Sequence, residues 1–184
     1  MFDPDRFITD CRDNARSAPG VLDVVARAVS TPAAILVALG EPKRAGVQVL
    51  LRSDDLTVLN LVWGPRMCQL PHNHGMWAVI GIYTGREDNI FWRRPPGAPG
   101  ARIEAAAAKA LSERETTPLG RDIIHSVVNP INRLTGAIHV YGGDFFAVQR
   151  SEWDPEHLAE RPSDVGRALA LFEESNRLYP PHES

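Results

Sequence analysis

The sequence contains little cysteine, no long apolar run and no strongly charged block. Its two cysteines, Cys11 and Cys68, are too few for a disulfide framework, so a reducing, cytoplasmic setting is the default expectation. The longest apolar runs are too short to span a bilayer, and the first ten residues lack the basic-then-apolar layout of a signal peptide. The net charge of −3 includes no basic block, which disfavours nucleic acid and anionic membrane as partners.

Residues that make turns are well represented in an otherwise ordinary composition. A hydrophobic content of 43% and a charged content of 23% are typical of a soluble globular protein. A chain of 184 residues suits one domain and is long enough to bury a core. The 15 prolines and 14 glycines indicate many turns, which favours a body rich in β-strands.

Both ends of the chain are predicted to be helical. From about residue 3 to residue 40, apolar residues recur at a spacing of three to four, which is typical of helices. After Trp153 the chain turns polar, and Val165 to Leu178 is predicted to form an amphipathic helix. Within a single domain we therefore predict a helical segment packed on the body, a β-rich body and a helical extension, at residues 1–45, 46–152 and 153–184.

The body is predicted to contain about eight short strands. The segment 102–113 is ambiguous, because its AAAAKAL run has helical propensity although it lies among strands, and we favour a strand. The composition of residues 95–100 predicts a loop. Many short strands at this spacing predict a sandwich, a jelly roll or a barrel, and a barrel can hold a small ligand in its mouth. The predicted strands are 47–52, 56–63, 74–83, 88–94, 102–113, 122–128, 136–141 and 145–149.

Three histidines form a pattern that suits a metal ion. In a strand, residues i and i+2 point to the same face, so His72 and His74 would project side by side and could bind one metal through two nitrogens. The alternative is a pair of surface histidines beside Pro71. His125 lies in the middle of the apolar segment DIIHSVV, where a lone histidine is more often a core residue than a ligand. Two adjacent imidazoles on one strand and a third from a later strand would occupy one face of a metal and leave its other positions open to substrate, which is the catalytic layout.

The histidine spacing resembles that of a known superfamily. His72-x-His74 followed by His125-x-x-x-Asn129 is similar to the two motifs of the cupins. The resemblance implies a mainly β fold, the cupin double-stranded β-helix or jelly-roll barrel, here with N-terminal helices and a C-terminal helix. It also implies that the three histidines are metal ligands.

One ligand of the usual cupin motif is missing. Ala78 and Val79 stand where a glutamate is expected after the second histidine, so the resemblance implies a site of three histidines alone. Glu87 lies too far along to be an obvious replacement. The segment Arg86-Glu87-Asp88 is predicted to be a solvated tip at a hairpin turn.

Two further elements resemble cysteine dioxygenase and related thiol dioxygenases. Trp63-Gly64 precedes the first histidine pair as in that family, and the segment AIHVY at 137–141 is similar to its Ser-x-His-x-Tyr element. The resemblance implies that Tyr141 points at bound oxygen or substrate and that His139 polarises it. Ala137 replaces the serine, so this relay is limited to His139 and Tyr141.

Three residues are candidates for binding the substrate. Arg52 falls near the arginine that binds the substrate carboxylate in the thiol dioxygenases, although an arginine beside Asp54 and Asp55 also suits a surface ion pair. Met76 and Trp77 either line the pocket or fill the barrel, and a core position is the better interpretation.

The resemblance implies an enzyme that uses iron(II) and O2. Its substrate would be a small thiol carboxylate of the cysteine or 3-mercaptopropionate type, and its product a sulfinate. Three neutral imidazoles leave the charge of the metal uncompensated and so favour an anionic ligand such as a thiolate. The same site accepts Zn, Ni, Cu or Mn in a recombinant protein. Two alternatives stay open: another metal-dependent dioxygenase or isomerase, and a non-catalytic metal-binding or sensing cupin.

Overall fold

The computed structural model describes residues 1–97 and 102–180, so the predicted loop 95–100 lies partly outside it. The described chain forms four helices and eleven strands. The helices are α1 (Pro4–Asn14), α2 (Ala18–Val29), α3 (Pro32–Leu39) and α4 (Val165–Leu178). The strands are β1 (Gly46–Arg52), β2 (Thr57–Trp63), β3 (Cys68–Asn73), β4 (Ala78–Thr84), β5 (Arg86–Arg93), β6 (Glu104–Ser112), β7 (Thr116–Leu119), β8 (Ile124–Val128), β9 (Thr135–Tyr141), β10 (Ser151–Trp153) and β11 (Glu160–Pro162).

Two antiparallel sheets face each other. One has the strand order β1-β2-β9-β4-β7 and the other β11-β10-β3-β8-β5-β6. From β2 to β9, every connection crosses between the sheets except the one between β5 and β6. This is the winding of a jelly roll. The predicted double-stranded β-helix with helices at its N-terminal and C-terminal ends is confirmed.

The two faces of the five-stranded sheet bury different partners, because successive strand residues point to opposite sides. The inward face contributes Leu59, Ile80 and Tyr141 to the core between the sheets. The outward face packs against the N-terminal helices. Gly81 lies under α2, where an added Cβ would stand 2.5 Å from a methyl of Val25, so a side chain at this position would displace the helix.

Helix α4 lies across one end of the barrel. Asp164 caps its first turn by accepting a hydrogen bond from the backbone N–H of Arg167. Phe172 is stacked on Trp63, with ring centroids 5.4 Å apart. Glu152 is buried and forms ion pairs with Arg161 and with Arg167 of the helix. The helix is therefore held to the barrel by both an aromatic contact and a buried carboxylate.

Several strand predictions differ from the structure. Strands β3, β7, β10 and β11 were not predicted. The predicted strand 145–149 is instead a turn, in which Asp144 accepts hydrogen bonds from the backbone N–H groups of Phe146 and Ala147. The alanine-rich segment forms strand β6, as favoured from the sequence. Within the described residues no single helix is long and apolar enough to cross a bilayer. Helices α2 and α3 reach that length and apolar content only when taken together, and the angle between them is 85°.

Candidate metal centre

The three histidines singled out from the sequence converge inside the barrel. His72 near the end of β3 is paired in register with His125 of β8, and His74 follows two residues later. The Nε2 atom of His74 lies 3.2 Å from that of His72 and 3.2 Å from that of His125. His74 lies beyond the end of β3, so His72 and His74 do not share one strand face as predicted. Pairing between β3 and β8 brings His72 to His125, and the turn after β3 brings His74 to both.

Hydrogen bonds on the far side of two rings orient these nitrogens. The Nδ1 atom of His72 lies 2.8 Å from the carbonyl oxygen of Leu70, and that of His125 lies 2.7 Å from Oδ1 of Asn89. Both oxygens accept, so each Nδ1 carries the proton and each Nε2 presents its lone pair to the other rings. Metal-binding histidines are held in this way by their outer nitrogens.

The three imidazoles are neutral near pH 7. Burial lowers the pKa of His72 to about 4. Burial, with smaller contributions from the neighbouring histidines, holds the pKa of His74 and of His125 well below the ordinary value. The ligand atoms of the three side chains all lie within 4.8 Å of one another, so the group could hold a metal ion. Three neutral nitrogen donors suit iron, zinc, copper or nickel.

The histidines open onto a small cavity. Its volume is about 70 Å³, which is large enough to hold ordered water. Much of the lining is apolar and comes from both sheets and from α4, including Leu61, Val127, Leu169 and Phe172. A cavity of this size beside an open metal position suits a small substrate rather than a polymer.

His139 and Tyr141 lie at this cavity, on the inward face of β9. Nδ1 of His139 is 3.0 Å from the Tyr141 hydroxyl, and the Tyr141 ring meets His74 edge-on at 5.1 Å. Burial raises the pKa of Tyr141 above its ordinary value, so the hydroxyl keeps its proton. Strand alternation correctly placed the two side chains on one face.

Arg52 lies outside the cavity, contrary to the position expected from the resemblance. Its guanidinium forms a two-pronged ion pair with Asp144 at 2.9–3.0 Å, and its side chain is 52% exposed. Hydrogen bonds from Arg52 lower the pKa of the Asp144 carboxyl. An ion pair at the surface, the alternative considered from the sequence, therefore describes Arg52, although the partner is neither Asp54 nor Asp55.

Met76 and Trp77 do not line the histidine cavity either. Met76 is buried in the core between the sheets, as preferred from the sequence. Trp77 lies with it beside a separate surface groove near Gly142. Neither residue is placed to contact a ligand bound at the histidines.

Arg150 occupies the place that was predicted for Arg52. It lines the cavity, its guanidinium carbon lies 3.7 Å above the ring of Phe145, and it donates one hydrogen bond of 2.7 Å to the Phe145 carbonyl. Among the described residues no other acceptor is bonded to its remaining N–H groups. Burial lowers the pKa of Arg150, but its guanidinium stays protonated. The sequence carried no signal for it, because a turn rather than a strand sets its position.

Glu87 is buried, which corrects its assignment to a solvated tip. Strand β5 begins at Arg86, so alternation turns Glu87 and Asn89 inward while Arg86 and Asp88 pair on the outer face. One oxygen of Glu87 accepts from Nε1 of Trp63 at 2.7 Å and the other from Nδ2 of Asn89 at 3.0 Å. Glu87 is not one of the three clustered side chains, so it does not replace the missing glutamate. The alternation of inward side chains along β5 was the signal that could have found it.

Solved structures of low identity are similar to parts of this chain. No protein-family profile matches the chain. A double-stranded β-helix protein from Klebsiella pneumoniae is 10% identical, with a TM-score of 0.43 over 67% of this chain and 88% of that one. An RmlC-like cupin from Methanocaldococcus jannaschii is 11% identical, with a TM-score of 0.45 over 58% and 86%. The DMSP lyase DddQ from Ruegeria pomeroyi is 16% identical, with a TM-score of 0.46 over 61% of this chain, which spans about half, 53%, of the lyase.

Proposed function

We propose that the protein is an iron(II)-dependent dioxygenase that converts a small thiol carboxylate into a sulfinate. His72, His74 and His125 would hold the iron. When bound, iron(II) supplies a cation that lowers the pKa of a thiol and a redox centre at which O2 reacts. The overall reaction balances as thiol plus O2 giving sulfinic acid, with both oxygen atoms added to sulfur and no external reductant.

The observation that carries this proposal is Arg150 beside three neutral imidazoles. A guanidinium with free N–H groups binds a carboxylate through two parallel hydrogen bonds. Its stacking on Phe145 holds the group at the cavity wall. A molecule with a carboxylate at one end and a thiol at the other would satisfy both Arg150 and the histidine cluster within a space of about 70 Å³.

Tyr141 and His139 provide a route for the thiol proton. As the S–H bond breaks, its electron pair stays on sulfur and the proton passes to the Tyr141 oxygen, while the Tyr141 proton passes to Nδ1 of His139. The 3.0 Å contact between these two atoms supports this transfer. The apolar residues of α4 on the cavity wall would limit the access of bulk water during the step.

The presence of a cavity favours an enzyme over a sensing protein. A non-catalytic metal-binding cupin would be expected to have its site sealed by bulky side chains. The histidines instead line a cavity together with two polar side chains, those of Tyr141 and Arg150. This supports catalysis and leaves the reaction class to be tested directly.

The test is oxygen consumption by protein loaded with iron(II) under anaerobic conditions. We expect thiol-dependent uptake with cysteine or 3-mercaptopropionate, and little with cysteamine, which lacks the carboxylate. Mass spectrometry after reaction with labelled O2 should show both label atoms in the product. Absence of thiol-dependent uptake by the iron-loaded protein, with metal content verified, would overturn the proposal and favour another metal-dependent reaction.

A further inference from the structure

A buried carboxylate links the candidate metal centre to the Tyr141 side of the cavity. Glu87 is 0% exposed, Asn89 is 1% and His139 is 2%. Glu87 hydrogen-bonds Asn89, which in turn holds His125. The oxygen of Glu87 that accepts from Trp63 also lies 3.6 Å from Nε2 of His139. One side chain thus stands between two groups that face the cavity from different sheets.

No arginine or lysine of the described residues pairs with Glu87; its one ion-pair contact there is with His139, 3.6 Å away. Removing a charge from water costs several kcal/mol unless opposite charge and hydrogen bonds compensate for it. The hydrogen bonds that Glu87 accepts from described residues come from the neutral indole of Trp63 and the neutral amide of Asn89. The role of Glu87 is therefore argued from its contacts with Asn89 and His139.

The first neighbour is Asn89, whose orientation Glu87 determines. A carboxylate only accepts, so the amide NH2 of Asn89 must face Glu87 and its oxygen must face His125. That oxygen accepts from Nδ1 of His125 at 2.7 Å. With the proton fixed on Nδ1, Nε2 of His125 is left as a lone-pair donor for a metal ion.

The second neighbour is His139. Its Nε2 atom is buried and has no hydrogen-bond partner among the described residues, and the carboxylate oxygen of Glu87 lies 3.6 Å away. A nearby carboxylate favours the tautomer protonated on Nε2. Nδ1 is then free to accept from the Tyr141 hydroxyl, 3.0 Å away.

We propose that Glu87 is a positioning residue that sets the tautomers of His125 and His139 at once. It acts on His125 through Asn89 and on His139 directly. The effect of Glu87 on His139 and Tyr141 rests on the proposed function, because that function is what gives Tyr141 a catalytic role. The effect on His125 requires only that the histidines bind a metal. In this chain Ala137 stands in place of the serine of the Ser-x-His-x-Tyr element, and the carboxylate of Glu87 lies next to His139.

Nitrogen NMR of the imidazoles tests the inference in the unaltered full-length chain. In the metal-free protein we expect the Nδ1 nitrogen of His125 and the Nε2 nitrogen of His139 to carry a proton. The opposite tautomer at either histidine would overturn the role assigned to Glu87 on that side. This measurement needs no substitution and no activity.

A substitution tests the consequence for metal binding. In Glu87→Gln one acceptor becomes an NH2 group, so a donor must face Trp63 or Asn89 and the chain of hydrogen bonds is broken. Outer-shell substitutions typically weaken metal affinity about 10- to 100-fold, and we expect a loss of this size for cobalt(II) or zinc(II) in competition with a chelator. Asp88→Asn is the matched control, because it removes the same charge from the adjacent, outward residue, and its affinity should equal that of the wild type.

The outcomes separate this inference from the proposed function. A folded Glu87→Gln protein that binds metal as tightly as Asp88→Asn overturns the role of Glu87. Glu87→Asp keeps two acceptor oxygens and should bind the metal more tightly than Glu87→Gln does. A Glu87→Asp protein whose metal affinity is no higher than that of Glu87→Gln would also contradict the role. An iron-loaded wild type that consumes no oxygen with thiols contradicts the proposed function and leaves the tautomer and affinity results standing.

Discussion

Two arginines near the barrel mouth have opposite surroundings, and only one faces the cavity. Arg52 is occupied by Asp144, whereas Arg150 keeps free N–H groups beside the histidines. The resemblance to the thiol dioxygenases favoured Arg52, whereas its position before a turn favoured a surface ion pair. The distinction depends on the turn at residues 144–150, which no periodic pattern encodes.

The two arginines therefore give a matched pair of substitutions. Arg150→Met should raise KM for a thiol carboxylate by roughly 10- to 150-fold, because it removes charge-assisted hydrogen bonds to the carboxylate that contribute about 1.5–3 kcal/mol. Arg52→Met should leave KM near the wild-type value, because its partner is Asp144. Steady-state oxygen uptake over a range of substrate concentrations measures both, and the reverse pattern would return the carboxylate-binding role to Arg52.

The burial of Cys11 predicts that its thiol resists alkylation in the folded protein. It is fully buried, and burial raises its pKa from 9.0 to about 12. Since the thiolate is the reactive form, iodoacetamide at pH 8 should label the exposed Cys68 and leave Cys11 unmodified until the protein unfolds. Mass spectrometry of the native and urea-unfolded protein distinguishes the two sites, and equal labelling of both thiols in the native protein would contradict the burial.

The same thiol links stability to alkaline pH. In the unfolded chain Cys11 loses its proton above about pH 9, whereas in the folded chain it keeps the proton to about pH 12. The unfolded state binds fewer protons in this range, so the free energy of unfolding should fall as pH rises from 9 towards 12. Urea midpoints at pH 8 and pH 10 for the wild type and Cys11→Ala should show a smaller decrease in the variant.

At the scale of the elements, local propensity and long-range pairing disagree in β6. Five of its nine residues are alanines, which favour a helix, and most of the strand is exposed. Its backbone pairs with β5 over nearly its whole length, from Arg86 opposite Ser112 to Arg93 opposite Glu104. Such pairing depends on a strand that precedes it across a loop, so neither composition nor periodicity within the segment could decide the matter.

The packing of α2 on β4 predicts a strict size limit at Gly81. A Cβ there would lie 2.5 Å from Val25 and 2.9 Å from Val29, so Gly81→Val should destabilise the fold by roughly 1–3 kcal/mol through overpacking. Gly120→Val is the control, since the nearest atom to its Cβ is 3.8 Å away. Urea denaturation measures both, and equal midpoints would show that α2 does not press on the sheet.

The attachment of α4 depends on Phe172. Replacing this buried ring by alanine removes its stacking on Trp63 and should cost about 3–5 kcal/mol of local stability. Leu178→Ala, on the same helix but exposed, should have little effect. Amide hydrogen exchange of α4 reports the difference, with faster exchange expected only in Phe172→Ala; unchanged exchange would mean that the ion pairs of Glu152 alone retain the helix.

For the whole molecule, the winding of the barrel and the histidine cluster were both predictable, whereas the polar groups around the cluster were not. Motif spacing resembled that of a jelly-roll barrel with three histidine ligands, but it did not predict which strands pair. Arg150 and the buried Glu87 depend on where a turn ends and where a strand begins, and an error of two residues at β5 moved Glu87 from the interior to solvent. The site's donors were therefore easier to find than the groups that orient them.

Metal binding should stabilise the molecule as a whole. An ion that binds only the folded state at 100 times its Kd adds about 2.7 kcal/mol to the free energy of unfolding. Zinc(II) or iron(II) should raise Tm of the wild type, and a chelator should reverse the change. His125→Ala should abolish the increase, whereas His157→Ala, whose side chain is 65% exposed, should retain it. An equal increase in both variants would place the ion elsewhere.

The cover formed by α4 has a consequence for how the protein is made. His72, His74, His125 and Arg150 all precede α4 in the chain, and the helix supplies Val165, Ala168, Leu169 and Phe172 to the cavity wall. Translation runs from the N-terminus, so the ribosome completes every histidine of the cluster before it makes the helix that covers them. The histidines are therefore made before the helix that covers them, and we expect a chain truncated ahead of Val165 to expose them to solvent.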